Sequence, residues 1–320
     1  MPIEANTEHT HEPIIPPIIE EKENNNYIVT ETHTWSDMNL KENLLRGIYS
    51  FGFENPSPIQ KKGIMPILTG RDVIAQAQSG TGKTGAFTVS TLQRVDETLN
   101  EVQALILAPT RELAIQTHKV VSNIGSFMDN LKCSLFIGGR SMEQDMTDLE
   151  KKPQIVVGTP GRVHDLMRRR KLTTRTIKIL VIDEADEMLS SGFKEQVYNI
   201  FQYLGNKIQV TLFSATLPNE IQTLTDKFMR DPIKILVKTE SVTLEGIKQY
   251  YVALENDTQK YETMKDLFES ISVSQCIIYC NSINRVNDLY EALWKDNFPV
   301  CCIHSGMEKS EREKAYTDFT

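Results

Sequence analysis

Ala77-Gln78-Ser79-Gly80-Thr81-Gly82-Lys83-Thr84 sets two glycines and a lysine–threonine step at the mouth of a helical pattern. Glycine lets the backbone approach an anion closely, and free amides at a helix N-terminus attract phosphate. At this spacing Lys83 reaches the β and γ phosphates of a nucleoside triphosphate, and Thr84 holds magnesium. The strict form of such a loop has glycine at its first position, where Ala77 stands. Further along, Asp183-Glu184-Ala185-Asp186 follows the apolar run Ile179-Leu180-Val181-Ile182. Acidic residues also cap helices. Here, however, they end a buried strand in a chain that already carries a phosphate loop. Asp183 is expected to bind magnesium through water, and Glu184 to orient and deprotonate the attacking water.

These groups need a frame. Between residues 34 and 233, short apolar runs at 73–75, 104–107, 134–137, 155–157, 179–182 and 210–213 each lead through a loop into an amphipathic stretch. That rhythm predicts an α/β fold, a mostly parallel sheet with helices on both faces. Ligands of such sheets sit at the carboxyl ends of the strands, where every motif named here falls. Residues 234–246 read as a linker. A second α/β unit follows over 247–320, with strands expected at 249–254, 276–279 and 300–303 and helices at 258–270, 283–296 and 309–319.

A length of 320 residues suits two domains. No apolar run approaches the roughly 18 residues that span a bilayer, so no membrane partner is expected. The N-terminus lacks a basic-then-apolar signal pattern, and five cysteines with Cys301 and Cys302 adjacent form no disulfide framework. An intracellular setting is expected, the cytoplasm favoured over the nucleus. Zinc ligation by Cys276, Cys280, Cys301, Cys302 and His304 fits no structural zinc spacing. Cysteine as a small buried hydrophobe in strands is the expectation instead.

The net charge of −8 looks wrong for a nucleic-acid binder, but its distribution matters. Residues 1–34 hold seven glutamates against Lys22 alone, a net −6, leaving −2 for the remainder. Near-neutral domains can grip RNA through a local patch with little long-range steering. The tail over 1–33, rich in Pro, Glu, Asn and Thr, is expected to be disordered. Arg168-Arg169-Arg170-Lys171 is expected to be a solvated helix end.

The order and spacing of these motifs resemble the DEAD-box RNA helicases over residues 35–320. Trp35 precedes Gly52-Phe53-Glu54-Asn55-Pro56-Ser57-Pro58-Ile59-Gln60, which is similar to that family's adenine-reading segment. The phosphate loop, Pro109-Thr110-Arg111-Glu112-Leu113-Ala114, Gly138-Gly139, Thr159-Pro160-Gly161-Arg162, the Asp183–Asp186 run and Ser214-Ala215-Thr216 follow in the family's order. Residues 277–282, His304-Ser305-Gly306 and Glu311-Arg312 resemble motifs of its second domain. The wording over 75–80, 183–189, 228–237 and 243–248 is closest to the initiation factor 4A branch and its nuclear exon-junction relatives.

The resemblance implies a RecA-like P-loop domain followed by a partial second RecA-like domain. Gln60 would read adenine, with Trp35 or Phe53 packing on the base, beside Ala77 to Thr84. Pro109, Thr110, Arg111, Gly138, Gly139, Thr159, Pro160, Gly161, Arg162 and Arg312 would hold single-stranded or locally duplex RNA by its backbone, without sequence preference. Ser214 and Thr216 would link ATP and Mg2+ to domain movement. A translation-initiation or mRNP scaffold would be the protein partner. Lys309 and His304-Ser305-Gly306 depart from the family pattern and weaken the second domain's expected RNA grip. The family's arginine fingers fall beyond Thr320, so the chain as written is expected to bind ATP and hydrolyse it poorly. Two readings stay open: an ATP-dependent RNA helicase, or a module that binds ATP and RNA without unwinding. A P-loop ATPase acting on DNA or protein fits the motifs less well.

Overall fold

The computed structural model describes residues 32–319 and the backbone of 20–22 and 26–28. Within that span Ser191, Asn206, residues 238–247, Gln249, Val273 and the side chains of Asp257, Lys309 and Glu313 are not described. The chain divides into two compact units, Met1–Leu244 and Glu245–Thr320. In the acidic tail, β1 (Glu20–Lys22) and β2 (Asn26–Ile28) pair antiparallel. The remainder of residues 1–31 lies outside the described residues.

Seven strands form the sheet of the first unit. They are β3 (Val73–Gln76), β4 (Ala104–Leu107), β5 (Cys133–Phe136), β6 (Ile155–Gly158), β7 (Ile179–Ile182), β8 (Gln209–Ser214) and β9 (Ile233–Leu236). Every pairing is parallel, in the order β5-β6-β4-β7-β8-β3-β9. The first six lie where the apolar runs predict them. The seventh corrects the expected linker: β9 pairs with β3, so 233–236 belong to the sheet. Of the remaining linker residues, 238–246 are not described.

Successive strand side chains leave opposite faces, and that alternation divides the core in two. Val73, Ala75, Ala104, Ile106, Ile179 and Val181 face one layer of helices. That layer holds α1 (Glu42–Ser50), α2 (Pro58–Leu68), α3 (Lys83–Arg94) and α4 (Arg111–Ile124). Ile74, Leu105, Leu107, Leu180 and Ile182 face the other. It holds α5 (Met142–Glu150), α6 (Pro160–Arg168), α7 (Ala185–Ser190), α8 (Lys194–Tyr203) and α9 (Asn219–Phe228). Strands covered on both sides read as unbroken apolar runs, which is why the sequence reveals them.

Helix starts are equally local. Pro58 and Pro160 stand in the first turns of α2 and α6, where a missing N–H costs no bond. Ser141 and Gln144 form a reciprocal capping box, and at α2 the Ser57 amide donates to Gln60 Oε1 at 2.7 Å. Thr110 caps α4 by accepting from the Leu113 amide at 3.2 Å.

The second unit holds α10 (Asp257–Ser270), α11 (Ile283–Lys295) and α12 (Lys309–Phe319), close to the expected helices. Its three expected strands are not observed: 250–254, 276–279 and 300–303 form no ladder among the described residues. Strand propensity is a fit to a half-buried pleated surface, and these runs have none. Tyr251 and Tyr279 stand 93% and 89% exposed. Cys276 and Cys301 are exposed as well, which corrects their reading as buried hydrophobes. Ile277, Ile303 and Trp294 are large apolar side chains left exposed in this unit.

Candidate nucleotide site and nucleic-acid face

β3 delivers the chain into the phosphate loop at the carboxyl edge of the sheet. Gly80 and Gly82 have φ of 80° and 99°, backbone that side chains rarely adopt, and Gly82 opens α3. Thr81 Oγ1 donates to the Gln78 carbonyl at 2.6 Å and tightens the turn. Ala77, the departure from the strict pattern, has ordinary backbone, and its methyl lies in the core. The Ala77 amide donates to the Ser214 carbonyl at 3.1 Å, which ties the loop to β8.

Lys83 is only 5% exposed, and its ammonium meets both carboxylate oxygens of Glu184, at 2.9 and 3.0 Å. Ser79 Oγ donates to the same carboxylate at 3.2 Å. Glu184 stands at φ 45°, a left-handed conformation that is costly for a side-chain-bearing residue. Its amide donates to Asp183 Oδ1 at 3.0 Å. Burial first, and then the Glu184 charge, push the Asp183 carboxyl up to about 7.

That displacement fixes a pH dependence. Folded Asp183 keeps its proton up to about pH 7, whereas an unfolded aspartate releases it near 4. Between those values the folded state binds more protons, so stability from this group falls as pH rises through the window. Without divalent cations, the wild-type thermal midpoint is expected to drop across it relative to Asp183→Asn. A constant difference between the two proteins would overturn the assignment.

Ser214 and Thr216 meet the last aspartate of the run, for which sequence reading supplied no role. The Asp186 carboxylate accepts from the Thr216 amide at 2.9 Å and from its hydroxyl at 2.7 Å. The Asp186 amide donates to Ser214 Oγ at 3.2 Å. Burial opposes the Asp186 charge, but the Thr216 and Ser214 bonds outweigh it and hold the carboxyl below its ordinary range. A cleft of about 560 Å3 opens beside this clasp, lined by Ser79, Glu184, Asp186 and Thr216 among others.

Gln60 is 3% exposed and organises the loop from behind. Its Oε1 accepts from the Ser57 amide at 2.7 Å, and its Nε2 donates to the Gly82 carbonyl at 3.1 Å. A side chain at Gly82 would strike Ser57 Oγ at 2.6 Å. The structure corrects the expectation for Trp35. Its ring is 1% exposed and stacks 6.3 Å from Phe53, while Nε1 donates to the Phe53 carbonyl at 3.1 Å. Trp35 therefore backs the partly exposed Phe53 and has no open face of its own. Burial in the core takes precedence for the largest apolar side chain.

Next to the nucleotide site, Arg111, the Gly138–Gly139 loop and the start of α6 line up along the same strand ends. A Cβ at Gly138 would lie 3.3 Å from the Arg111 guanidinium, so glycine admits that close approach. Gly139 has φ 87°, and open space surrounds Gly161. Thr159 and Pro160 are buried at the head of α6, and Pro109 is buried ahead of α4. Arg162 differs from expectation: its side chain is 13% exposed and turned inward to Asp145 at 3.2 Å. Arg168 and Arg169 pair with Asp165 at 2.7 and 2.9 Å on an exposed helix end, as expected of a solvated terminus. Arg312 lies on α12 in the second unit.

Comparison with known proteins accords with this geometry. The model of the DEAD/DEAH box helicases matches residues 57–224, and that of the helicase conserved C-terminal domain matches 259–320. "ATP-dependent RNA helicase eIF4A" of Chaetomium globosum is 52% identical over 286 residues, 89% of this chain and 72% of that protein. The protein of the same name from Neurospora crassa gives the same figures. Among solved structures, S. cerevisiae Dbp5 bound to RNA and ADP BeF3 superposes with a TM-score of 0.80 at 34% identity, covering 90% of this chain and 73% of that one. A DEAD box protein from the hyperthermophile Methanococcus jannaschii gives a TM-score of 0.64 at 34% identity, over 90% and 77% of the two chains. Loop, carboxylates and matched sequence agree, and the chain belongs to the DEAD-box helicase family.

Proposed function

We infer that this chain is an ATP-dependent RNA helicase of the eIF4A type, turning ATP over to grip RNA and part short duplexes. The observation that carries this is the junction of Lys83, Asp183 and Glu184 at the loop, with the Asp186–Thr216 clasp beside it. Its curated relatives are named as ATP-dependent RNA helicases, and Dbp5 was solved with RNA on the same fold. The alternative, a module that binds without hydrolysis, leaves the strained Glu184 without a purpose.

Lys83 and Glu184 neutralise each other. An incoming phosphate competes for the ammonium, and its capture releases Glu184 to accept a proton from water. A magnesium ion would be held by Thr84 and Asp183 with phosphate oxygens, the mixed ligand set this ion prefers. Asp183 fits that role, since a buried carboxyl whose charge is disfavoured gains most from a cation alongside. The ion would supply charge neutralisation at the phosphates. Arg111, Gly139 and Gly161 would meet the RNA sugar–phosphate chain, which gives grip without sequence choice. The proposed setting is cytoplasmic, with a translation or mRNP scaffold as partner.

The test is ATP turnover and strand separation with a short RNA duplex, with single-stranded RNA and with DNA of the same sequence. RNA-stimulated turnover together with duplex loss is expected. ATP binding with no turnover under any nucleic acid would promote the binding-module reading.

A further inference from the structure

Asp145 is a carboxylate on α5 with no solvent exposure, and neither of its oxygens meets hydrogen-bond geometry among the described residues. Its nearest charge partner is the Arg162 guanidinium at 3.2 Å, and Arg140 adds a second positive charge. Arg162 also donates to backbone: Nε, the atom that faces Asp145, donates to the Ile137 carbonyl at 3.3 Å, and Nη2 donates to the Arg140 carbonyl. Those carbonyls flank Gly138 and Gly139. Arg140 is fixed in turn, donating to the Leu135 carbonyl and to Asp148 at 2.8 Å. A charge taken out of water persists only beside a counter-charge. The buried carboxylate therefore decides where Arg162 points, and Arg162 straps the glycine loop to the first turn of α6.

We propose that Asp145 is a positioning residue for RNA, setting Gly139 and Gly161 at a fixed separation through Arg162, whose guanidinium is a strut and not a phosphate contact. The inference rests on the RNA-binding reading above. The exposed groups on either side of the strut are backbone, Gly139 on the loop and Gly161 on α6, and the Arg111 guanidinium of α4 lies beside the loop. A site built from backbone amides binds well only when their spacing is kept.

The experiment is fluorescence anisotropy of a labelled single-stranded RNA with the full chain and a non-hydrolysable ATP analogue, over a series of salt concentrations. Nucleotide affinity is measured alongside as a control on folding. Asp145→Asn keeps shape and removes charge. It is expected to raise the RNA Kd roughly tenfold or more, the scale of one lost charge-assisted amide contact, while nucleotide affinity holds. Arg162→Ala is expected to match it, the double variant to add nothing further, and Asp145→Glu to restore binding. The slope of affinity against salt should not change in either single variant. A phosphate-contacting Arg162 would lose about one unit of that slope on truncation. Such a loss, or wild-type RNA binding by Asp145→Asn, overturns the inference. Should Asp145→Asn fail to fold, Arg162→Lys decides. It keeps the charge but cannot bridge both carbonyls, so wild-type RNA affinity in that variant also overturns the proposal. No RNA binding by the wild type would instead overturn the reading on which it rests.

Discussion

Glu184→Gln is expected to lower RNA-stimulated ATP turnover by about 10²- to 10⁴-fold, the usual contribution of a positioned general base. The amide has the same shape and can still accept from Ser79 and Lys83, which now lie 3.2 and 2.9 Å from the carboxylate. It cannot take a proton from water. Nucleotide binding should survive and even tighten, because Lys83 loses its internal counter-charge and a phosphate becomes its natural partner. A second signature follows from the neighbour. The Glu184 charge helps to push the Asp183 carboxyl up, so neutralising it should let Asp183 ionise at lower pH. The stability-versus-pH transition should move down with it. Pre-steady-state and steady-state ATP hydrolysis, a titration of a fluorescent ATP analogue, and thermal midpoints across pH check the three in turn. Wild-type turnover by the variant would remove Glu184 from the role of base.

Lys83→Ala is expected to raise the ATP Kd by roughly 10²-fold, because a charge-assisted hydrogen bond to phosphate is worth about 1.5–3 kcal/mol. Turnover should fall further, since the same contact is stronger where charge develops in the transition state. The variant also strands Glu184 beside Asp183 without its cation. Loss of one partner from such a pair destabilises the protein, and the nucleotide-free chain should melt earlier. Lys83→Arg keeps the charge but puts a planar fork into a slot where lysine is only 5% exposed. It should rescue little, because the two cations are not equivalent in geometry. Calorimetric titration with ATP, set beside the melting temperature, separates lost binding from lost fold. Unchanged ATP affinity in Lys83→Ala would contradict the site as described.

Much of this site is written locally. The glycines at 80 and 82, the capping pairs Ser57–Gln60 and Ser141–Gln144, and the apolar runs at 104–107 and 179–182 act through near neighbours. Each is visible without a partner. The Asp183–Asp186 run was legible for the same reason, although the role of Asp186 was not. That role depends on Thr216, thirty residues away in sequence. β9 was missed because only Ile233 and Ile235 of its four residues are buried. An edge strand of four residues leaves a short alternation that resembles a linker.

Sequence by itself determined six of the seven sheet strands of the first unit, where a nucleotide's phosphates meet them, and which carboxylates stand opposite. Period, cap and glycine chemistry act over a few residues, so a linear reading can capture them. Only the tertiary structure decided which charges are already paired, and which large side chains turn inward. It places Arg162 on Asp145, Lys83 on Glu184 and Trp35 behind Phe53. It leaves the apolar runs of the second unit without a ladder among the described residues. The physical reason is common to all four. Desolvation and pairing are properties of neighbours brought together by the fold, and spacing along the chain carries no record of them.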